Sequence, residues 1–263
     1  MQDGEYCDDI VASMRAQDIV PTEIVMVAPT RALVVQSLVG IHAYLGLSLH
    51  TLLLGVDLLD RYLARATQDY NAHAIILTAY RLAAKYEEDK LPYEIRSLSR
   101  YSEFANGDAP QALLHSLEYH VCETLEYSLG QPTSLEYLEL LLGGEVPAEC
   151  QFLLHVMLAC VFWSRFTAYH KACAVGFFMD LPLFGFNNGP SRVTMDEDAN
   201  RCFRDLVRIL FRLSQVNPDK VEPFPLLKFY AYLTTLFAAD VSATCAKQAA
   251  LWRRVLLECD PQY

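Results

Sequence analysis

The chain has 263 residues, 53% apolar and 11% aromatic, enough for one large domain or two ordinary ones and too apolar for a disordered chain. Its formal net charge is −11, which argues against a nucleic-acid binder that relies on a broad basic face. Eleven glycines and twelve prolines are few for an all-β chain of tight turns. The eight cysteines form no CxxC pair, and no apolar leader opens the chain, so they are expected to be reduced, mostly buried thiols in a nuclear or cytoplasmic protein.

Taken in order, residues 1–4 are expected to lie outside regular structure. Tyr6 to Gln17 reads as a short helix with Asp8 and Asp9 in its first turn and Arg15 near its end, the order that the helix dipole favours. Ile10, Val11 and Met14 give it one apolar stripe, suited to docking on a larger body. Asp18 to Thr30, with Pro21 and Pro29, is expected to be an extended connector. Five helices should follow: Arg31 to Tyr44, Leu49 to Leu63 with Ser48 as N-cap, Tyr70 to Glu88, Pro92 to Tyr101, and Pro110 to Tyr127, the last broken by Gly130-Gln131-Pro132. Ala32 to Val56 carries no charged residue and has the length of a membrane span, but Gln36, His42, His50 and the Gly46-Leu47-Ser48 interruption divide it into two ordinary helices.

The third helix organises this half. It is apolar on nearly every side from Ala72 to Ala84, so it should be buried among other helices. Its character then changes abruptly to Lys85, Glu87 and Glu88, a plan for bringing charge to the surface at a partner site. A second helical set begins at Thr133, with Ser134 to Leu142, Pro147 to Ser164, Tyr169 to Asp180 and Asp196 to Leu213, and two closing helices over 222–239 and 241–258. Pro182 to Val193 reads as a loop. No convincing strand alternation occurs, so the class is all-α, in two helical halves parted near residue 130.

No assembled catalytic constellation is present. Glu87 and Glu88 are adjacent, so on a helix they point about 100° apart and make a poor acid/base pair. The seven histidines lack HxxxH or HExxH spacing, and there is no GxxxxGK[ST], GxGxxG or GxSxG, so no metal, phosphate cradle, cofactor or nucleophile is expected. His120, near Glu123 and Thr124, reads as structural, and Trp163 and Trp252 as core.

The arrangement of short motifs is more specific. Arg31-Ala32-Leu33-Val34-Val35 is similar to an MRAIL-V segment. Thr51-Leu52 through Asp60-Arg61-Tyr62-Leu63 is similar to TL…DR(F/Y)L, and Lys85-Tyr86-Glu87-Glu88 to K(F/Y)EE. Glu118 is followed by Thr124-Leu125-Glu126-Tyr127 and Gln131-Pro132-Thr133, and Tyr6-Cys7-Asp8-Asp9-Ile10 is similar to Y-x-(E/D)-D-I. In this order and spacing, over residues 6–133, the sequence resembles a cyclin, and specifically the mitotic (A/B-like) group.

The resemblance implies two tandem five-helix cyclin-box folds. The N-terminal helix and connector would span 1–29, the first box 30–131, a second box-like fold 132–220, and extra helices 221–263. It implies a non-catalytic activator that binds a cyclin-dependent protein kinase, with phosphorylation substrates but neither membrane nor nucleic acid as further partners. Lys85 and Glu118 would meet backbone groups near the kinase's mobile C-helix, pushing it inward to complete the ATP site. Ile10, Tyr86, Glu88, Tyr127 and Leu129 are expected on the same interface, and Arg31 with Asp60 as a buried ion pair. Cyclins that dock RxL-bearing substrates carry methionine and tryptophan where this chain has Thr30 and Ser37, so a docking patch of Thr30, Val34 and Ser37 is expected to be degenerate. The segment 102–110 reads as about four residues longer than the mitotic pattern. No RxxL destruction segment precedes the first helix, which implies a trimmed core or degradation by another route. Two readings share the fold: a transcription-associated cyclin, which the Tyr6–Ile10 motif opposes, and a TFIIB-like factor, opposed by the acidic charge and the missing CxxC ribbon. An enzyme has no site to rest on.

Overall fold

The computed structural model describes residues 3–18, 28–66, 72–89, 111–181, 195–215 and 225–259, and among these every regular element is a helix. They are α1 (Asp3–Gln17), α2 (Ala28–Leu45), α3 (Leu49–Arg65), α4 (Ala72–Glu87), α5 (Gln111–Thr124), α6 (Ser134–Leu142), α7 (Ala148–Ala159), a 3₁₀ turn (Val161–Arg165), α8 (Ala168–Phe178), α9 (Glu197–Gln215), α10 (Pro225–Leu236) and α11 (Ala239–Cys259). No described helix is long and apolar enough to cross a membrane. The chain divides into two compact units. One comprises Ile19–Gln131 with Leu158–Arg165, the other Met1–Asp18, Pro132–Met157 and Phe166–Tyr263.

In the first unit α4 is buried on all sides from Ala74 to Ala84, as its composition requires. Its nearest neighbour is α3, and the approach is set by Gly55: a Cβ there would lie 3.1 Å from the Tyr80 ring and 3.2 Å from the Tyr80 Cα. Val34, Val35 and Leu38 of α2, Leu52, Leu54 and Leu58 of α3, and Leu117, Val121 and Leu125 at α5 complete the core. Ser48 caps α3, its hydroxyl accepting from the His50 N–H at 3.2 Å. Gly46, at φ +63, ends α2 and separates the two helices.

Some boundaries differ from expectation. α1 starts at Asp3, inside the stretch expected to be irregular, and α2 starts at Ala28, so Pro29 and Thr30 belong to its first turn, where proline lacks no hydrogen bond. α5 ends at Thr124, before the expected Tyr127, and the chain leaves it through Glu126 and Tyr127 at φ 53 and 60, ahead of Gly130. The expected helix Pro92 to Tyr101, the lengthened segment 102–110 and the loop 182–193 lie outside the described residues.

In the second unit α6 opens on a capping box between Thr133 and Glu136 and closes on Gly143 at φ 65. The single helix expected over 147–164 is two elements, α7 and the 3₁₀ turn, broken at Cys160. α9 buries Cys202, Phe203, Leu206, Val207, Leu210 and Leu213, a helical stripe facing the core. Trp252 of α11 stacks on Phe177 at 5.4 Å and donates its indole N–H to the Phe178 carbonyl at 2.8 Å. The α1 helix is fastened to this unit at its C-terminal end. Arg15 lies 4.2 Å over the Tyr169 ring and 3.4 Å from Asp196 Oδ2. The Asp18 carboxylate accepts from the Ala168 and Tyr169 N–H groups at 3.1 and 3.0 Å, closing the positive end of α8. Cys150, Cys173, Cys202 and Cys245 are buried thiols outside any disulfide, and burial pushes Cys150, Cys173 and Cys245 up to about 12.

Candidate partner-docking surface

Where α4 leaves the core, its apolar run gives way to Lys85, 38% exposed at the side chain, and Tyr86, 61% exposed. Lys85 Nζ donates to both carboxylate oxygens of Glu118 on α5, each at 2.8 Å. One turn back on α4, Arg81 approaches the same carboxylate with Nε 3.0 Å from Oε1, and His115 Nδ1 lies 3.5 Å from Oε2. Glu118 is itself nearly buried. Cys122, one turn further along α5, has its thiol pushed up by burial and by Glu118, with Lys85 opposing, so it is no nucleophile here.

Around this charged centre are exposed aromatics. Tyr119 follows Glu118 and is 62% exposed, and Tyr127, beside it, is 63% exposed. The Tyr86 phenol packs against the chain at Gly130, where an added Cβ would strike it. Large exposed aromatics beside a partly buried ion pair have the composition of the centre of a binding face rather than of an ordinary solvated surface.

Backbone conformation aims Tyr127 and Leu129. Two successive non-glycine residues at positive φ are costly and persist only when held. Arg61 of α3 holds them: its guanidinium, buried, donates to the carbonyls of Ser128 and Leu129 at 2.7 and 2.9 Å and to Asp57 at 2.6 Å. Beneath lies the Arg31–Asp60 pair. Arg31 donates to both Asp60 oxygens, at 2.9 and 2.7 Å, and to the Leu158 carbonyl at 2.6 Å, with both side chains buried.

The structure therefore brings Lys85, Glu118, Tyr86, Tyr127 and Leu129 together in one unit and pairs Arg31 with Asp60. Glu88 is engaged internally: its Oε1 accepts from the Ser48 N–H at 2.8 Å and the Thr51 hydroxyl at 2.6 Å, so it ties the end of α4 to the start of α3. Ile10 is half-buried on α1, in the other unit. Val34 is wholly buried and belongs to the core, Ser37 donates its hydroxyl to the Leu33 carbonyl at 3.0 Å, and Leu33 itself is exposed. The Thr30 side chain lies outside the described residues. Sequence reasoning missed Arg81, Tyr119 and Arg61 as members of the site. Arg81 had a signal, as the one charged residue between Ala72 and Ala84. His120 is structural as expected, its ring edge-on to Tyr62 at 5.8 Å.

Comparison with known proteins adds an independent line. The family model described as "Cyclin, N-terminal domain" matches residues 9–130. The S-phase entry cyclin-5 of Saccharomyces cerevisiae is 30% identical over 109 residues, 41% of this chain and 24% of that protein. The G2/mitotic-specific cyclin-B of Marthasterias glacialis is 31% identical over 109 residues, 41% of this chain and 27% of that protein. The G2/mitotic-specific cyclin S13-6 of Glycine max is 28% identical over 151 residues, 54% of this chain and 32% of that protein. The matches span about a quarter to a third of the length of these relatives.

Proposed function

We infer, from the membership of residues 9–130 in the cyclin family, that this chain is the non-catalytic regulatory subunit of a cyclin-dependent protein kinase in the cell cycle. It docks through Lys85, Glu118, Tyr86, Tyr119, Tyr127 and Leu129. The observation that carries the reading is the Lys85–Glu118 pair at the exposed end of a buried helix, ringed by tyrosines more than 60% exposed. Tyrosines at such a face bury large area at little entropic cost, and the charged pair fixes register by bonding backbone groups of the partner. The face meets the kinase's C-helix and presses it inward, so that the C-helix glutamate reaches the ATP-binding lysine and the activation loop orders. Ile10 on α1 adds an apolar contact, whereas Glu88 serves the fold from behind. The relatives' names, S-phase and G2/mitotic, favour a cell-cycle role over a transcriptional one, and the Tyr6–Ile10 motif favours the mitotic group.

The test is a panel of cyclin-dependent kinases assayed on a generic histone substrate with and without this chain, each mixture also run by size exclusion. A co-eluting, stimulated pair is expected. Lys85→Ala and Tyr127→Ala should each weaken that pair about tenfold or more while leaving the free chain folded. Reversing Glu118 is the poorer test, because a lysine there would face the buried Arg81 and disturb the fold itself. A chain that joins none of the kinases defeats the reading.

A further inference from the structure

Glu118 has more positive charge around it than one carboxylate requires. Lys85 bonds both oxygens at 2.8 Å, and Arg81 adds a second permanent cation at 3.0 Å. The two differ in reach. The Lys85 side chain is 38% exposed and accessible to a partner, whereas that of Arg81 is 6% exposed and is not.

We propose that Arg81 is a positioning residue that keeps Glu118 in place while Lys85 is handed from Glu118 to an acceptor oxygen, backbone carbonyl or carboxylate, on the docked kinase. The inference rests on the docking role of Lys85 proposed above. In the free chain Lys85 and Glu118 satisfy each other, so the lysine serves a partner only if it can leave. Leaving would strand a carboxylate whose side chain is only 11% exposed, which is strongly unfavourable without a second cation. Arg81 supplies that cation. Its Nε already lies 3.0 Å from Oε1, and Nη2, on the same edge of the guanidinium, can take the oxygen that Lys85 vacates, giving the two-pronged pairing that guanidinium and carboxylate favour. Lys85 thereby becomes a releasable donor, and Glu118 stays fixed throughout. His115, 55% exposed and 3.5 Å away, is too solvated to do this.

Two double-mutant cycles on the whole chain, using Arg81→Met and Lys85→Met, test the idea. In the free chain, either cation alone should suffice for Glu118. Each single variant should then melt close to the parent, and the double variant at least about 4 °C below the sum of the single shifts. In kinase binding, Arg81→Met should weaken the complex about tenfold in the parent chain and less than about twofold in the Lys85→Met background, where there is no lysine to release. Additive thermal shifts, or an equal loss of binding in both backgrounds, overturn the inference. A parent chain that binds no kinase sinks the docking reading and the hand-over with it, whereas a parent that binds while the thermal shifts add sinks the hand-over alone.

Discussion

Arg31 and Asp60 sit 29 positions apart in sequence, and the 2% and 7% exposures of their side chains leave water no part in their pairing. Such a pair contributes little to stability compared with apolar residues of the same shape, but removing one member leaves an uncompensated charge in the core. Asp60→Ala should therefore lower stability by about 3–5 kcal/mol, read as a fall in the urea midpoint with unchanged slope. Replacing both members with well-packed apolar residues should cost far less. Residues of this kind were legible in the sequence because a short motif, Arg31-Ala32-Leu33 or Asp60-Arg61-Tyr62, marks them. Others were not. Arg61 fixes carbonyls 67 and 68 positions away, and Glu88 caps a helix start 40 positions earlier. Neither target can be inferred from neighbours, so the sequence places Glu88 only on the expected partner interface and gives no sign that it clasps two helices.

Among the elements, the buried α4 was legible because an all-round apolar helix has one use in a soluble fold. The α9 stripe was equally plain. The break at Cys160 was not, since Cys160-Val161-Phe162-Trp163 is apolar throughout and periodicity does not distinguish an α-helix from a 3₁₀ turn there. Nor was the exit from α5, where Glu126 and Tyr127 take the left-handed conformation usual for glycine. Two glycines in this unit separate fold from surface. At Gly55 an added methyl meets the Tyr80 Cα at 3.2 Å, backbone that cannot yield without moving α4. The gain in helix propensity is about 1 kcal/mol and overpacking costs about 1–3, so Gly55→Ala should be destabilising on balance by calorimetry. At Gly130 the obstacle is the tip of the exposed Tyr86, which can swing aside. Gly130→Ala should melt near the parent while moving the Tyr86 ring resonances and weakening kinase capture.

For the molecule as a whole, acid sensitivity should trace to the second unit. His155 is buried on α7, donates its Nδ1–H to the Gln151 carbonyl 2.7 Å away, and packs edge-on against Phe237 at 5.2 Å. Burial holds its protonation below the ordinary histidine range, the Gln151 bond opposing only in part. The unfolded chain then takes up a proton more readily than the folded one. Stability is intact above about pH 6.5 and declines as pH falls below it. Melting temperature should fall as pH drops from about 6.5 to 5.5, and His155→Leu should flatten that decline. A decline unchanged in the variant would place the sensitivity elsewhere.

The attachment of α1 bears on how the protein is made. Arg15 meets Asp196 across 181 positions, and Asp18 meets Ala168 across 150. On the ribosome, at roughly 5–20 residues per second, the first helix emerges roughly 10–40 s before its last anchor exists. During that interval α2 to α5 can gather while α1 waits with an unmatched apolar stripe, a natural substrate for a chaperone. A fragment that stops near residue 131 would leave that wait unresolved, and should stay more soluble with its first 18 residues removed.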